Sequence, residues 1–287
     1  MLEDKIKSFI AYCKVAGFKD KSLETFSLRL NEFNKFLNSK RFRSIQSVNY
    51  SHLSAFVSDF KSPSVHIKKA RIWSLHQFFH FLKLKGHIKD NIAMDLPYPK
   101  IEKTIPHFLT IDEYNRILLY CSADSTHIRS LRNLIIIMML GMLGLRTNTI
   151  ISMNIQDVDI VTGLAWVKDK GYYFQRTIVM PKLICATLQR YFDLLRKYQG
   201  PLFLSKRGNQ ISPRTLQDIF RTIATSCGID KHLHAHLFRH TAATHLNRVA
   251  GTTITQQILG HSLNKNTYKY THLHPDYYAT YMKKIPL

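Results

Sequence analysis

Apolar residues recur at helical spacing through the first third of the chain. In Ser22–Leu37, Phe26, Leu30, Phe33 and Leu37 fall on one face. In Ser64–Leu84, Ile72, Leu75, Phe79 and Leu82 do the same, with Phe78 beside them. Steps of three and four residues bury one stripe of a helix, so each segment is expected to be helical. Leu2–Ala16, ended by Gly17, and a shorter Tyr50–Phe60 complete an all-helical bundle of about four helices. The pattern then breaks at Asp95–Pro106, DLPYPKIEKTIP, which holds three prolines and four charges. Proline blocks helix and favours extended backbone, which marks a linker. The expected layout is a helical domain over 1–97, a linker over 98–106 and a second domain over 107–287.

The second domain mixes periods. Thr110 and Glu113 form a capping-box pattern before the run YNRILLYC. Leu134–Leu145 is apolar throughout, and its 12 residues are too few to span a bilayer, so Leu134–Leu143 reads as a buried helix. Val158–Ile160, Leu164–Lys168 and Thr177–Met180 are β-branched or apolar, with turns at Thr162-Gly163 and Lys170-Gly171. They predict a small antiparallel sheet. Helices return at Leu183–Lys197 and Pro213–Cys227, the latter with Ser212 as N-cap, Pro213 at its first position and Gly228 as its stop. His236–Tyr270 reads as helical, broken at Gly251 and Gly260. The fold class is mainly α with a small antiparallel β-sheet.

Charge changes the picture. The 287 residues carry 41 Lys and Arg against 19 Asp and Glu, a formal charge of +22. The excess is spread over both halves, so no basic tail explains it. Both domains are expected to touch a polyanion. The four cysteines are scattered without CxxC spacing and read as reduced, packed thiols, as in a cytoplasmic protein. The N-terminal stretch MLEDKIKSFIAYCK has early acids and no long apolar core, so it does not read as a signal peptide, and no membrane association is expected.

The chemistry is concentrated near the C-terminus. HLFRHTAATHL places His236, Arg239 and His240 on neighbouring turns at a helix start, and LGHSLNKNTYKYTH places His261 nine residues before Tyr270. Arg146 lies upstream in GMLGLRTN. Two guanidiniums and two imidazoles can hold a phosphorane that carries extra negative charge, and a tyrosine can accept the phosphoryl group. A phenol has a pKa of about 10 and needs such a cationic field to react at neutral pH. Tyr268 competes for the nucleophile's role, and the offset from His261 selects Tyr270. The crowded His232, His234, His236, His240 and His245 could suggest zinc, but no HExxH, cysteine or carboxylate accompanies them. No P-loop pattern occurs. The expected cofactors and metals are none.

With these motifs the chain resembles the tyrosine recombinases, or phage-integrase family, particularly its compact Xer-like members. The resemblance covers nearly the whole chain. It implies a SAM-like core-binding domain followed by an α+β catalytic domain. It implies Arg146 and Arg239 as the catalytic arginines, His236 as the catalytic histidine and His261 as a further phosphate-steadying ring. Tyr270 matches the nucleophile. The general acid of the family is a lysine in a β-hairpin turn; VKDKGYYFQRTIV offers Lys168 and Lys170, and Lys170, before Gly171, fits better. Thr149 stands where the family commonly has an acid. The implied partner is double-stranded DNA at specific sites, bound by a homotetramer on two sites through exchange of the C-terminal tail DYYATYMKKIPL. Lys68, Lys69 and Arg71, near a helix start, are expected to contact DNA. Two related readings stay open: a DNA-binding protein without catalysis, and a type IB topoisomerase-like enzyme.

Overall fold

Phe26, Leu30, Phe33 and Leu37 are all fully buried in the computed structural model, so the stripe read from their spacing is the core face of a helix. The structure describes residues 2–100, 107–124, 126–168 and 175–260. The chain divides into two units, Met1–Thr104 and Ile105–Leu287, each with its own hydrophobic core.

The first unit is built on α1 (Glu3–Val15), α2 (Asp20–Ser39), α3 (Tyr50–Ser58) and α4 (Val65–Leu84). Its core is a web of phenylalanines. Phe9 meets Phe26 and Phe78 at 5.3 and 5.4 Å between ring centres, and Phe33 meets Phe56 at 5.0 Å. Tilted and edge-on contacts of this kind add to the burial energy of each ring. α4 starts where the Ser64 hydroxyl accepts a bond from the Ile67 amide. Lys69 is exposed and Lys68 half-buried on its first turns.

Arg71 departs from expectation. Only 2% of it is exposed. Its Nε donates to Glu32 Oε2 at 3.2 Å, and its Nη1 donates to the carbonyls of Phe56 and Phe60 at 2.8 and 2.9 Å. Its guanidinium also lies over the Phe56 ring, 4.6 Å from the centre. Arg71 therefore joins α2, α3 and α4 from inside, and the expectation that it meets DNA phosphates is corrected.

The second unit packs around α6 (Ile128–Gly141), which touches α5 (Ile111–Ser122), α8 (Lys182–Leu195) and α10 (Ala235–Leu259). The capping box holds: the Thr110 hydroxyl accepts from the Glu113 amide at 3.1 Å, and Glu113 Oε2 accepts from the Thr110 amide at 2.7 Å. α6 starts earlier than the apolar run suggests. Its first turns carry Arg129, Ser130, Arg132 and Asn133, which mask the helix in a hydropathy pattern. Yet Arg132 is buried, with Nη1 on the Leu204 carbonyl at 2.5 Å. α6 also ends earlier, at Gly141, and Gly144 then turns the chain at φ +61°. A short α7 (Thr147–Ser152), not anticipated from the pattern, follows.

β1 (Val158–Asp159), β2 (Leu164–Lys168) and β3 (Gln175–Val179) form an antiparallel sheet in the order β1-β2-β3. Ala165 pairs with Ile178 and Val167 with Arg176. Ala165 and Val167 are buried while Lys168 is exposed, the alternation of a half-buried strand. α9 spans Pro213–Cys227, with Ser212 capping it and Gly228 left-handed at its end. The mainly α fold with a small sheet is thus the one expected. Among the described residues no helix is long and apolar enough to cross a membrane.

Candidate active site

The site is organised by the two ends of α10. At its start, His234 stands in extended backbone as N-cap, and His236, Arg239 and His240 follow on the first turns. At its end, Gly260 adopts φ +62°, ψ +44° and stops the helix. Between them Gly251, at φ +74° and ψ +171°, breaks the helix into two limbs.

Arg239 is buried, 6% exposed. One Nη donates to the Gly144 carbonyl and the other to the Leu259 carbonyl at 2.7 Å. Arg146 precedes the first turn of α7, and its Nη2 donates to the Gly260 carbonyl at 3.1 Å. The two arginines, far apart in sequence, therefore grip successive carbonyls at one helix end. Such an end has carbonyls without helical partners and a partial negative charge. It is a natural place to gather cations.

Gly144 is why the GLR turn fits here. A Cβ at this position would collide with the side chain of Leu259 and press on Ala242. The backbone of the turn can approach α10 only without a side chain. That approach puts the Gly144 carbonyl within reach of Arg239.

His236 is exposed. Partial desolvation of its ring, then the positive groups His234, Arg239 and Arg146, hold its pKa below the ordinary histidine value. His236 thus feels both arginines and favours its neutral form, able to accept a proton. His240, also exposed, is lowered by desolvation and by His236, His234 and Arg239. Thr149 is buried on α7, one turn beyond Arg146.

His245 is tied elsewhere: its Nε2 lies 3.3 Å from the Leu109 carbonyl, while the Leu109 amide donates to Thr241 Oγ1 at 2.9 Å. Among the described residues no three His, Cys, Asp or Glu side chains gather as a metal site. Lys168 is exposed at the end of β2. Lys170, His261, Tyr270 and the C-terminal tail lie outside the described residues, as does 101–106 of the expected linker.

One residue escaped the sequence reading. Arg176 on β3 donates through Nη1 to the Ile258 carbonyl at 2.6 Å. The available signal was strand alternation. Arg176 shares the face of buried Ile178, two residues on, and a cation on an inward face needs an acceptor.

The family model for the phage integrase family matches residues 107–276. The chain belongs to that family. It is similar to a tyrosine recombinase XerC of Oceanobacillus iheyensis, 28% identical over 300 aligned positions that cover 99% of this chain and 97% of the relative. Two solved structures share the fold. XerH recombinase bound to its difH substrate superposes with a TM-score of 0.69 at 20% identity, covering 84% of this chain and 74% of XerH. A lambda integrase tetramer bound to a Holliday junction gives 0.73 at 16% identity, covering 92% of this chain and 78% of the integrase.

Proposed function

We propose that this chain is a site-specific DNA recombinase that cuts and rejoins strands through a 3′-phosphotyrosine. The observation that carries the reading is the meeting of Arg146 and Arg239 at the end of α10, with His236 in their field. Tyr270 follows ten residues after Gly260. Planar guanidiniums donate paired bonds to non-bridging phosphate oxygens, and such donors stabilise the pentacoordinate state. The Tyr270 oxygen forms a bond to phosphorus as the bond to the 5′ oxygen breaks. Neutral His236 takes part in holding the phosphate or managing the tyrosine proton, and His261 steadies the same phosphate. Lys170 supplies the proton that the leaving 5′ oxygen needs. The phosphotyrosine ester keeps the bond energy, so a 5′-hydroxyl, from the same or a second duplex, can attack it and restore the phosphodiester without a nucleotide.

DNA is the partner this chemistry requires, and the net charge of +22 favours it. The core-binding domain (1–97) carries Lys68 and Lys69 toward DNA, and the catalytic domain (107–287) carries the cleavage residues. XerH is solved on its substrate and lambda integrase as a tetramer on a Holliday junction. These structures support DNA binding by a multimer; that the assembly here is a homotetramer on two sites, with the C-terminal tail of one copy docked on the next, is part of the proposal.

The test is a nicked suicide duplex from the chain's own genomic neighbourhood, incubated without added metal. An adduct resistant to detergent that is absent in Tyr270→Phe is expected. Specific binding with no adduct would favour a non-catalytic DNA-binding protein and direct suspicion to Thr149. Relaxation of plasmids lacking any specific site would favour the topoisomerase reading.

A further inference from the structure

The end of α10 is satisfied by three arginines. The Gly260 amide closes back onto Gln256 and Gln257. The next three carbonyls, Ile258, Leu259 and Gly260, accept from Arg176 (2.6 Å), Arg239 (2.7 Å) and Arg146 (3.1 Å) in turn. The three guanidiniums come from β3, from the first turns of α10 and from the residue before α7. Like charges gathered this way repel, and the carbonyl end of the helix offsets that repulsion. Two of the three are the arginines proposed to hold the phosphate. The third is not needed for that task; it stands half-buried on the strand face it shares with Ile178, its Nη1 on the Ile258 carbonyl.

We propose that Arg176 is a positioning residue for cleavage, a statement that rests on the recombinase reading. It clamps the Ile258 carbonyl and thereby fixes the helix end on which Arg239 and Arg146 are registered. Its place in the chain adds a second link. Arg176 leaves the β2–β3 connection that contains Lys170, and Ile258 precedes His261 by three residues. One bond thus ties the strand following the general-acid turn to the helix leading into His261. Loss of the bond lets the helix end shift, and small misplacements of oriented groups have large kinetic costs.

The test is single-turnover formation of the Tyr270 adduct on a nicked duplex, measured against DNA concentration for the full chain. Wild type, Arg176→Ala, Arg176→Lys and Arg207→Ala are compared. Arg207→Ala removes an equal charge from an exposed turn. For Arg176→Ala the plateau rate is expected to fall about ten- to a hundredfold, with less than about a threefold change in half-saturating DNA. Arg176→Lys, which keeps the charge and a donor, should recover part of the rate, and Arg207→Ala should keep the wild-type plateau. An unchanged plateau in Arg176→Ala, or a loss confined to half-saturation, would overturn the proposal. Should Arg176→Ala fail to fold, Arg176→Lys decides alone: a reduced plateau at unchanged half-saturation supports the clamp, and a wild-type plateau refutes it. A wild type that forms no adduct removes the recombinase reading itself, a failure distinct from a normal wild type with indifferent variants.

Discussion

Gly144→Ala is the substitution for which the structure gives the clearest magnitude. Gly144 sits at φ +61°, where an L-residue is strained by about 1–2 kcal/mol. Its Cβ would also meet the Leu259 side chain, with Ala242 Cβ at 3.3 Å behind it. Forcing a methyl group into such packing costs about 1–3 kcal/mol more. The sum is about 2–5 kcal/mol, and in a unit of this size each kcal/mol lowers the melting temperature by about 2–4 °C. Gly228→Ala supplies the comparison, since Gly228 has φ +60° but nothing within 4 Å of its Cβ position. It should show the backbone cost alone, about 1–2 kcal/mol. Differential scanning calorimetry of the full chain reads both. The Gly144 variant should melt well below the Gly228 variant, and its adduct formation should also suffer because the displaced turn carries the Arg239 acceptor. Equal melting temperatures would refute the contact with Leu259 as the reason for glycine in the GLR turn.

Arg71→Ala should destabilise the first unit by about 3 kcal/mol, because it leaves the Phe56 and Phe60 carbonyls without this donor and Glu32 with Arg29 as its remaining cation; urea unfolding measures it, and a loss below about 0.5 kcal/mol would contradict the buried role. Lys68→Ala and Lys69→Ala should leave folding intact and each reduce the salt slope of DNA binding by about one; unchanged slopes would exclude both from phosphate contact. His236 and His240 titrate low in the fold, so the unfolded chain binds more protons below about pH 6.5 and stability rises with pH through that window. Denaturant midpoints at about pH 5.5 and about pH 7.5 should differ less in His236→Gln/His240→Gln than in wild type, and an equal difference would assign the effect to other groups. Lys170→Ala should slow cleavage about a hundredfold or more, and the rate should return when sulfur replaces the leaving 5′ oxygen, since a thiolate departs without a proton. A defect that persists with sulfur, or one seen instead in Lys168→Ala, would place the proton donor elsewhere.

Legibility followed the reach of local rules. The faces of α2 and α4, the Thr110–Glu113 box, and the Ser212, Pro213 and Gly228 signals at α9 were readable because spacing and capping act within a few residues. The three strands were readable from β-branched alternation. What escaped depends on partners distant in sequence. Arg71 reads as a surface cation beside Lys68 and Lys69, until Glu32 and the Phe56 and Phe60 carbonyls close around it. The start of α6 was hidden by polar residues whose Arg132 is in fact buried against the Leu204 carbonyl. Arg176 has an acceptor 82 residues further on, which no window on the sequence contains.

The spacing of the C-terminal motifs has a geometric cause in the same helix. Arg239 and Leu259 are 20 residues apart, and an unbroken helix would separate them by about 30 Å. Their hydrogen bond is 2.7 Å long. Only a reversal of direction reconciles the two figures, and the described backbone shows one departure from helix inside α10, at Gly251. Its φ of +74° with ψ of +171° lies in a region open essentially to glycine. The sequence from HxxRH to LGH is therefore two helical limbs and a hinge, and the hinge returns the second limb to the guanidinium that starts the first. Gly144 permits the neighbouring turn to approach the same place, and Arg146 and Arg176 complete the set. Motifs that look scattered along the chain are thus contacts around one helix end, and the glycines between them are as much a part of the site as its cations.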